Sequence, residues 1–235
     1  MRVKIGTRFL PALLAIAGLA LAGGEVRALT LTDTNLVDLL RNSTSILRGT
    51  VTTVTDGLEE DGLPYTEVTV SISETLRGKE KGTYAFRQFG LLAPRPSADG
   101  TRLLMPAPDG LPRYTEGENV LLFLSMPAKV TGLRSTYGLG NGKFSFGPGR
   151  VENDEANQGL FKNVSIDASL ITDGDGRMLD TAVGAVNPDD FMSLVERAVE
   201  GSWIESGMMW RTDQGRPGSR NVGKPIAPTT KPVLQ

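Results

Sequence analysis

The chain contains no cysteine and no histidine. Without thiols there are no disulfides, no thiolate metal sites, no cysteine nucleophile and no lipid-modified N-terminal cysteine. Without imidazole there is no Ser-His-Asp triad, no histidine-ligated zinc, and no side chain that ordinarily exchanges protons near neutral pH. Aromatic residues are sparse at 6%, with only two tryptophans, so the core must be largely aliphatic. Beyond the first 28 residues, no apolar run approaches the roughly 20 residues needed to cross a bilayer. These absences leave carboxylate chemistry as the main catalytic option.

What is present begins with an export signal. Arg2, Lys4 and Arg8 precede the apolar run Phe9 to Ala22, and small-residue cleavage sites follow at Ala20-Leu21-Ala22 and Val26-Arg27-Ala28. The run is too short and too rich in Ala and Gly to read as a membrane anchor. Residues 1–28 are therefore expected to be a signal peptide, with Leu29 as the mature N-terminus and a periplasmic or extracellular destination. An exported protein without disulfides points to a bacterial envelope or medium. On that ground the motifs at Asn42-Ser43-Thr44 and Asn163-Val164-Ser165 are read as chance matches to the glycosylation pattern. Residues 29–210 carry 16 basic and 25 acidic side chains, a net charge of −9. That balance argues against a general nucleic-acid binder.

Leu63 to Gly78 (LPYTEVTVSISETLRG) is the clearest strand, because Val68, Val70 and Ile72 alternate with polar neighbours. Before it, Leu29 to Asn42 predicts a short helix capped by Thr32, Asp33 or Thr34, with Leu36, Val37, Leu39 and Leu40 apolar. Ser45 to Thr55 predicts a strand whose interior Gly49 and parity change at Val54 signal a bulge or a sharp bend, as a small closed barrel requires. The acidic stretch Asp56 to Gly62 reads as a solvated hairpin loop. Gly82 to Gly90 follows as a strand with Tyr84 and Phe86 inward.

Leu91 to Glu118 is a long excursion with five prolines, the kind of connection that serves partner contact. Asn119 to Ser125 (NVLLFLS) reads as a strand buried on both faces. Leu133 to Tyr137 and Lys143 to Phe146 flank a glycine-rich hairpin at Gly138 to Gly142. Val164 to Ile171 reads as a strand. Asn187-Pro188-Asp189-Asp190 opens an amphipathic C-terminal helix that Gly201 ends. From Ser202 the pattern decays into a largely disordered tail, 202–235, with Trp203, Met208, Met209 and Trp210 either docking on the body or forming an interaction patch.

The order of helix, ILRGTV, YTEVTVSISETLRG, aromatic strand, GENVLLFLS and GKFSF resembles a set of uncharacterised secreted bacterial proteins. More distantly, it is similar to the OB-like barrel of the netrin-like module of tissue inhibitors of metalloproteinases. The resemblance covers roughly Thr34 to Phe146. It implies a mainly β domain over 29–201, a small OB-like barrel with a short N-terminal helix and an added C-terminal helix. The inhibitors act through an N-terminal cysteine that clamps the protease zinc. This chain has none, so their mechanism is not implied.

Three motifs invite chemistry, and each reads more simply as structure. The glycines of Tyr137 to Gly142 lie in hairpin rather than strand-to-helix context, unlike a dinucleotide fingerprint. Asp173, Asp175 and Asp180 do not have calcium-loop spacing, and Asp173-Gly174-Asp175-Gly176 reads as a β-turn. Gly142 to Gly147 does not have the spacing, or the base, of a serine-hydrolase elbow. No catalytic, cofactor-binding or metal-ligating residue is expected, and no cofactor. The expected function is an exported, non-enzymatic binding or interaction module, with an envelope or extracellular protein or a glycan as partner. The alternative is a secreted glycosidase-like hydrolase using paired carboxylates. Contact is expected through the 91–118 excursion and the Met/Trp segment.

Overall fold

Two fourteen-residue strands, β1 (Ser45–Leu58) and β2 (Pro64–Arg77), frame the protein behind a short helix, α1 (Leu36–Asn42). The computed structural model describes residues 34–217 apart from 97–99, 101, 102 and 105; the expected signal peptide and the end of the tail lie outside them. The remaining elements are β3 (Thr83–Phe89), β4 (Arg95–Pro96), β5 (Leu103–Leu104), β6 (Asn119–Leu124), β7 (Lys143–Gly147), β8 (Arg150–Asn153), β9 (Val164–Ile166), α2 (Asp173–Leu179), α3 (Pro188–Glu200) and β10 (Met209–Arg211). None of the described helices is long and apolar enough to cross a membrane.

The fold is mainly β. Six antiparallel strands run in the order β3-β2-β1-β6-β7-β8, with separate two-stranded pairs β9-β10 and β4-β5. Alternation along β6 sends Leu121 and Phe123 to one face and Val120, Leu122 and Leu124 to the other. The first face carries the larger core, covered by α1, α3 and the 160–166 segment, with Phe144 edge-on to Phe123 and tilted against Phe191. The second face is enclosed by Val51, Val68, Val70 and Phe86, with Tyr114 from the long excursion set edge-on against Phe86. This two-sided burial is why β6 reads as an unbroken apolar run.

β1 carries its expected bulges, with register shifts at Arg48/Gly49 and Val51/Thr53. At Gly49 a Cβ would sit 2.3 Å from the Ser71 carbonyl oxygen, so only glycine fits there.

The sheet does not close into a barrel. Among the described residues, β3 and β8 do not pair with each other. Instead, residues 133–137 lie between the end of β6 and the outer edge of β3. Ser125 N donates to Ser135 O (2.9 Å), Tyr137 N to Phe123 O (2.7 Å), and Arg134 N to Arg87 O (2.7 Å). Pro127 in the preceding loop has no N–H for a ladder, and the segment forms isolated bonds rather than a strand.

Three local expectations are also corrected. Gly138 to Gly142 is not a hairpin turn: Gly138 is left-handed (φ 69°) and a 3-10 turn, Leu139–Gly142, leads into β7. Asp173-Gly174-Asp175-Gly176 is the first turn of α2 rather than a β-turn. Thr172 accepts from Asp175 N while the Asp175 carboxylate accepts from Thr172 N, a reciprocal cap that outweighs two glycines. The strand expected over 164–171 stops at Ile166, because Asp167 turns the chain through Leu170 N to Asp167 O.

The domain also continues past Gly201. Trp203, Ile204 and Met209 are buried, and β10 pairs with β9. The turn that makes this possible is a Schellman motif. Ser202 N donates to Val199 O and Trp203 N to Ala198 O, with Ser202 itself left-handed (φ 49°). The expected stop glycine, Gly201, has φ −79° and is needed for another reason, since a Cβ there would meet the Trp203 indole nitrogen at 2.4 Å. Ser202→Gly is therefore expected to stabilise the protein by up to about 1 kcal/mol, raising Tm by roughly 2–4 °C. A lowered Tm in a calorimetric melt would count against this reading of the turn.

Candidate functional site: a charged groove on the sheet

The larger core does not cover its face of the sheet completely. Past the α3 contacts the same face turns polar, and β1, β2, β6 and β7 together form an open groove of about 680 Å3. Its floor and walls include Arg48 and Thr50 from β1, Ser73 and Glu74 from β2, Asn119 from β6 and Phe146 from β7.

Arg48 and Glu74 stand directly opposite each other in the β1–β2 register, yet they form no ion pair. The Arg48 guanidinium lies instead over the Phe146 ring, 5.0 Å from its centroid. Stacking holds the planar cation in place without using its N–H donors. Neither Arg48 nor Glu74 has a hydrogen-bond or ion-pair partner through its side chain among the described residues. Thr50 Oγ1 donates to Asn119 Oδ1 (2.8 Å), which leaves the Asn119 amide N–H groups turned to the groove. On the α3 side, Glu196 is pushed above the usual carboxylate range by burial and by Glu74, with Arg48 opposing. The groove thus presents a fixed free cation at one side and unneutralised carboxylate at the other.

A second charged centre lies on the opposite face. Lys143 is buried, and its Nζ contacts Glu118 Oε1 (2.7 Å) and Asp154 Oδ1 (3.2 Å), with the Tyr114 ring 5.4 Å away. Ser145 Oγ donates to Glu118 Oε1 (2.5 Å) and Thr115 N to Glu118 Oε2 (3.2 Å). Every strong acceptor of Glu118 is therefore engaged. Burial pushes Asp154 up from its ordinary value, against the pull of Lys143. Burial also pushes the Tyr114 hydroxyl well above its ordinary value, and that hydroxyl has no hydrogen-bond partner among the described residues. The centre ties the return of the long excursion to β7. The lysine ammonium fills the space between the two carboxylates that a glycosidic oxygen would need.

A third cluster closes the end of the molecule near the β2–β3 turn. Arg134 uses all five of its N–H donors: Nε to Ser125 O (2.6 Å), Nη1 to Tyr84 Oη (2.6 Å) and Glu80 Oε1 (3.1 Å), Nη2 to Ser45 Oγ (2.7 Å) and Thr44 Oγ1 (2.9 Å).

The regions that the sequence suggests for contact are placed differently. The described part of Leu91–Glu118 folds back on the body, with Pro112 buried and its carbonyl accepting from Gln88 Nε2 (2.9 Å). Trp203 and Met209 are core residues, and Trp210 lies under Arg216, leaving Met208 as the exposed member. In the acidic loop, Glu59 is not merely solvated but pairs with Arg87 (2.7 Å). Asp175 is buried and paired with Arg197 (2.7 Å), and no group of three acidic side chains suited to a metal occurs among the described residues.

The groove residues carry no motif. The one sequence signal for them is Arg48 itself, a charge set between Leu47 and Gly49 in the first half of β1. Comparison of the chain with protein-family models, with curated proteins and with solved structures yields no match.

Proposed function

We propose that this chain is an exported, non-enzymatic binding module, an open OB-like sheet that holds a molecule of the cell envelope or medium in the Arg48–Phe146 groove. The observation that carries the reading is Arg48: a half-buried guanidinium, stacked in position, with its donors unspent beside a concave polar surface. A side chain held this way is already organised for a ligand, which lowers the ordering cost of binding. OB-like sheets bind through one face and its surrounding loops, and this face supplies hydroxyl, amide, cation and carboxylate together. The hydrolase alternative has less support, because the carboxylates that do converge, Glu118 and Asp154, are held on Lys143.

Differential capture tests the reading. Immobilised wild-type protein and an Arg48→Gln, Asn119→Ala variant are exposed to the same fractionated envelope extract. The variant is expected to lose at least tenfold of the retained species, with Tm within a few degrees of wild type. Equal retention by both proteins would place the binding surface elsewhere.

A further inference from the structure

The groove's charge layout also specifies what it binds, on the premise that the groove is the binding site. Arg48 starts on β1 and reaches across β6 to a ring on β7, while Glu74 starts on β2, on the other side of β1. Two strand spacings separate β1 from β7, about 10 Å. Drawn toward the Phe146 ring, the Arg48 cation forms no ion pair with Glu74, although the two residues begin as cross-strand neighbours. Thr50, Ser73 and Asn119 lie between and beside them as neutral hydrogen-bonding groups.

From this arrangement we infer that the groove takes a short dipolar peptide, with its terminal carboxylate on Arg48 and its amino group toward Glu74. A planar guanidinium with free N–H donors is matched to a carboxylate by bidentate hydrogen bonding. An extended tripeptide spans about 10 Å at roughly 3.3 Å per residue, about the two strand spacings from β1 to β7. Its amide groups fall opposite the Asn119 amide and the Thr50 and Ser73 hydroxyls. A ligand bearing only negative charge would meet Glu74, and one bearing only positive charge would meet Arg48. Either is penalised by the group left unpaired. The acidic balance of residues 29–210 adds to the rejection of purely anionic ligands.

The test is an NMR titration of the full exported chain with four probes: trialanine, N-acetyl-trialanine, trialanine amide and chitotriose. Trialanine is expected to shift Thr50, Ser73, Asn119 and Phe146 resonances, and each end-blocked form to bind at least tenfold more weakly. Arg48→Gln should weaken trialanine to the level of its amide without further weakening the amide itself. Glu74→Gln should do the same for the N-acetyl form. Equal binding of free and blocked peptides would overturn the dipolar assignment while leaving the groove as a site. Shifts in the groove with chitotriose alone would replace it with polyol recognition. Were no probe to move a groove resonance at millimolar concentration, this inference and the binding role of the groove would fall together.

Discussion

Val70→Asp is expected to give a protein with no cooperative thermal transition, detected as a flat near-UV circular dichroism melt. Val70 is 1% exposed and lies between Val51 and Tyr84 on neighbouring strands, on the face enclosed by the smaller core. The cations described on that face are already committed, Arg134 to Glu80 and Lys143 to Glu118 and Asp154, so the charge must be buried without a free partner or the strand must leave the sheet. The cost is several kcal/mol, against a total stability of about 5–15 kcal/mol. Thr69→Asp is the control. Thr69 is half-buried on the opposite face, across from Thr53 and Ala85, and its aspartate can reach water. The control is expected to fold with a modest loss. If both variants were equally damaged, the assignment of faces along β2 would be wrong.

The second large effect is expected at Arg134. Replacing it with methionine keeps the apolar stem of the side chain but leaves the acceptors on Ser125, Tyr84, Glu80, Ser45 and Thr44 without their shared donor. Breaking a buried charge cluster from one side costs about 3–5 kcal/mol. For a domain of this size that corresponds to a fall of roughly 10 °C in Tm. Acid should expose the same cluster. Burial alone would raise the Glu80 carboxyl, but hydrogen bonds from Ser45, from backbone N–H groups and from Arg134 outweigh it and bring the pKa from 4.5 to about 2. A depressed folded-state value means that the contribution is present above pH 4.5 and is lost as pH falls toward 2. In Arg134→Met the acid transition should therefore begin at higher pH than in wild type. Coincident acid transitions would show that Arg134 does not act through Glu80.

Much of the fold was readable because period and burial agree. Val68 and Val70 alternate with less buried polar neighbours, the NVLLFL run is buried on both faces, and Asn187 with Pro188 begins α3 as cap chemistry requires. Where reading failed, one local signal hid another. The Asp-Gly pairs at 173–176 look like a turn, but Thr172 and Asp175 stand at capping-box spacing, and the tertiary partner Arg197 rewards the helix. The segment after Ser202 lacks a regular period because its buried residues, Trp203, Ile204 and Met209, sit on a compact turn and a three-residue strand. The groove was illegible for a different reason. It exists only once four strands are in register and Arg48 has chosen Phe146 over its cross-strand neighbour.

The strand order has a consequence for biogenesis. β1 is flanked by β2, made immediately after it, and by β6, made much later, with the whole Leu91–Glu118 excursion between. Until β6 arrives, β1 offers a long strand with one edge of backbone donors and acceptors open, the template on which chains pair with the wrong partner. The early meander cannot complete either core by itself, so folding waits for β6. Shortening the excursion, with Tyr114 to Glu118 kept, should bring β6 to β1 sooner and speed refolding, seen as a faster phase in stopped-flow fluorescence.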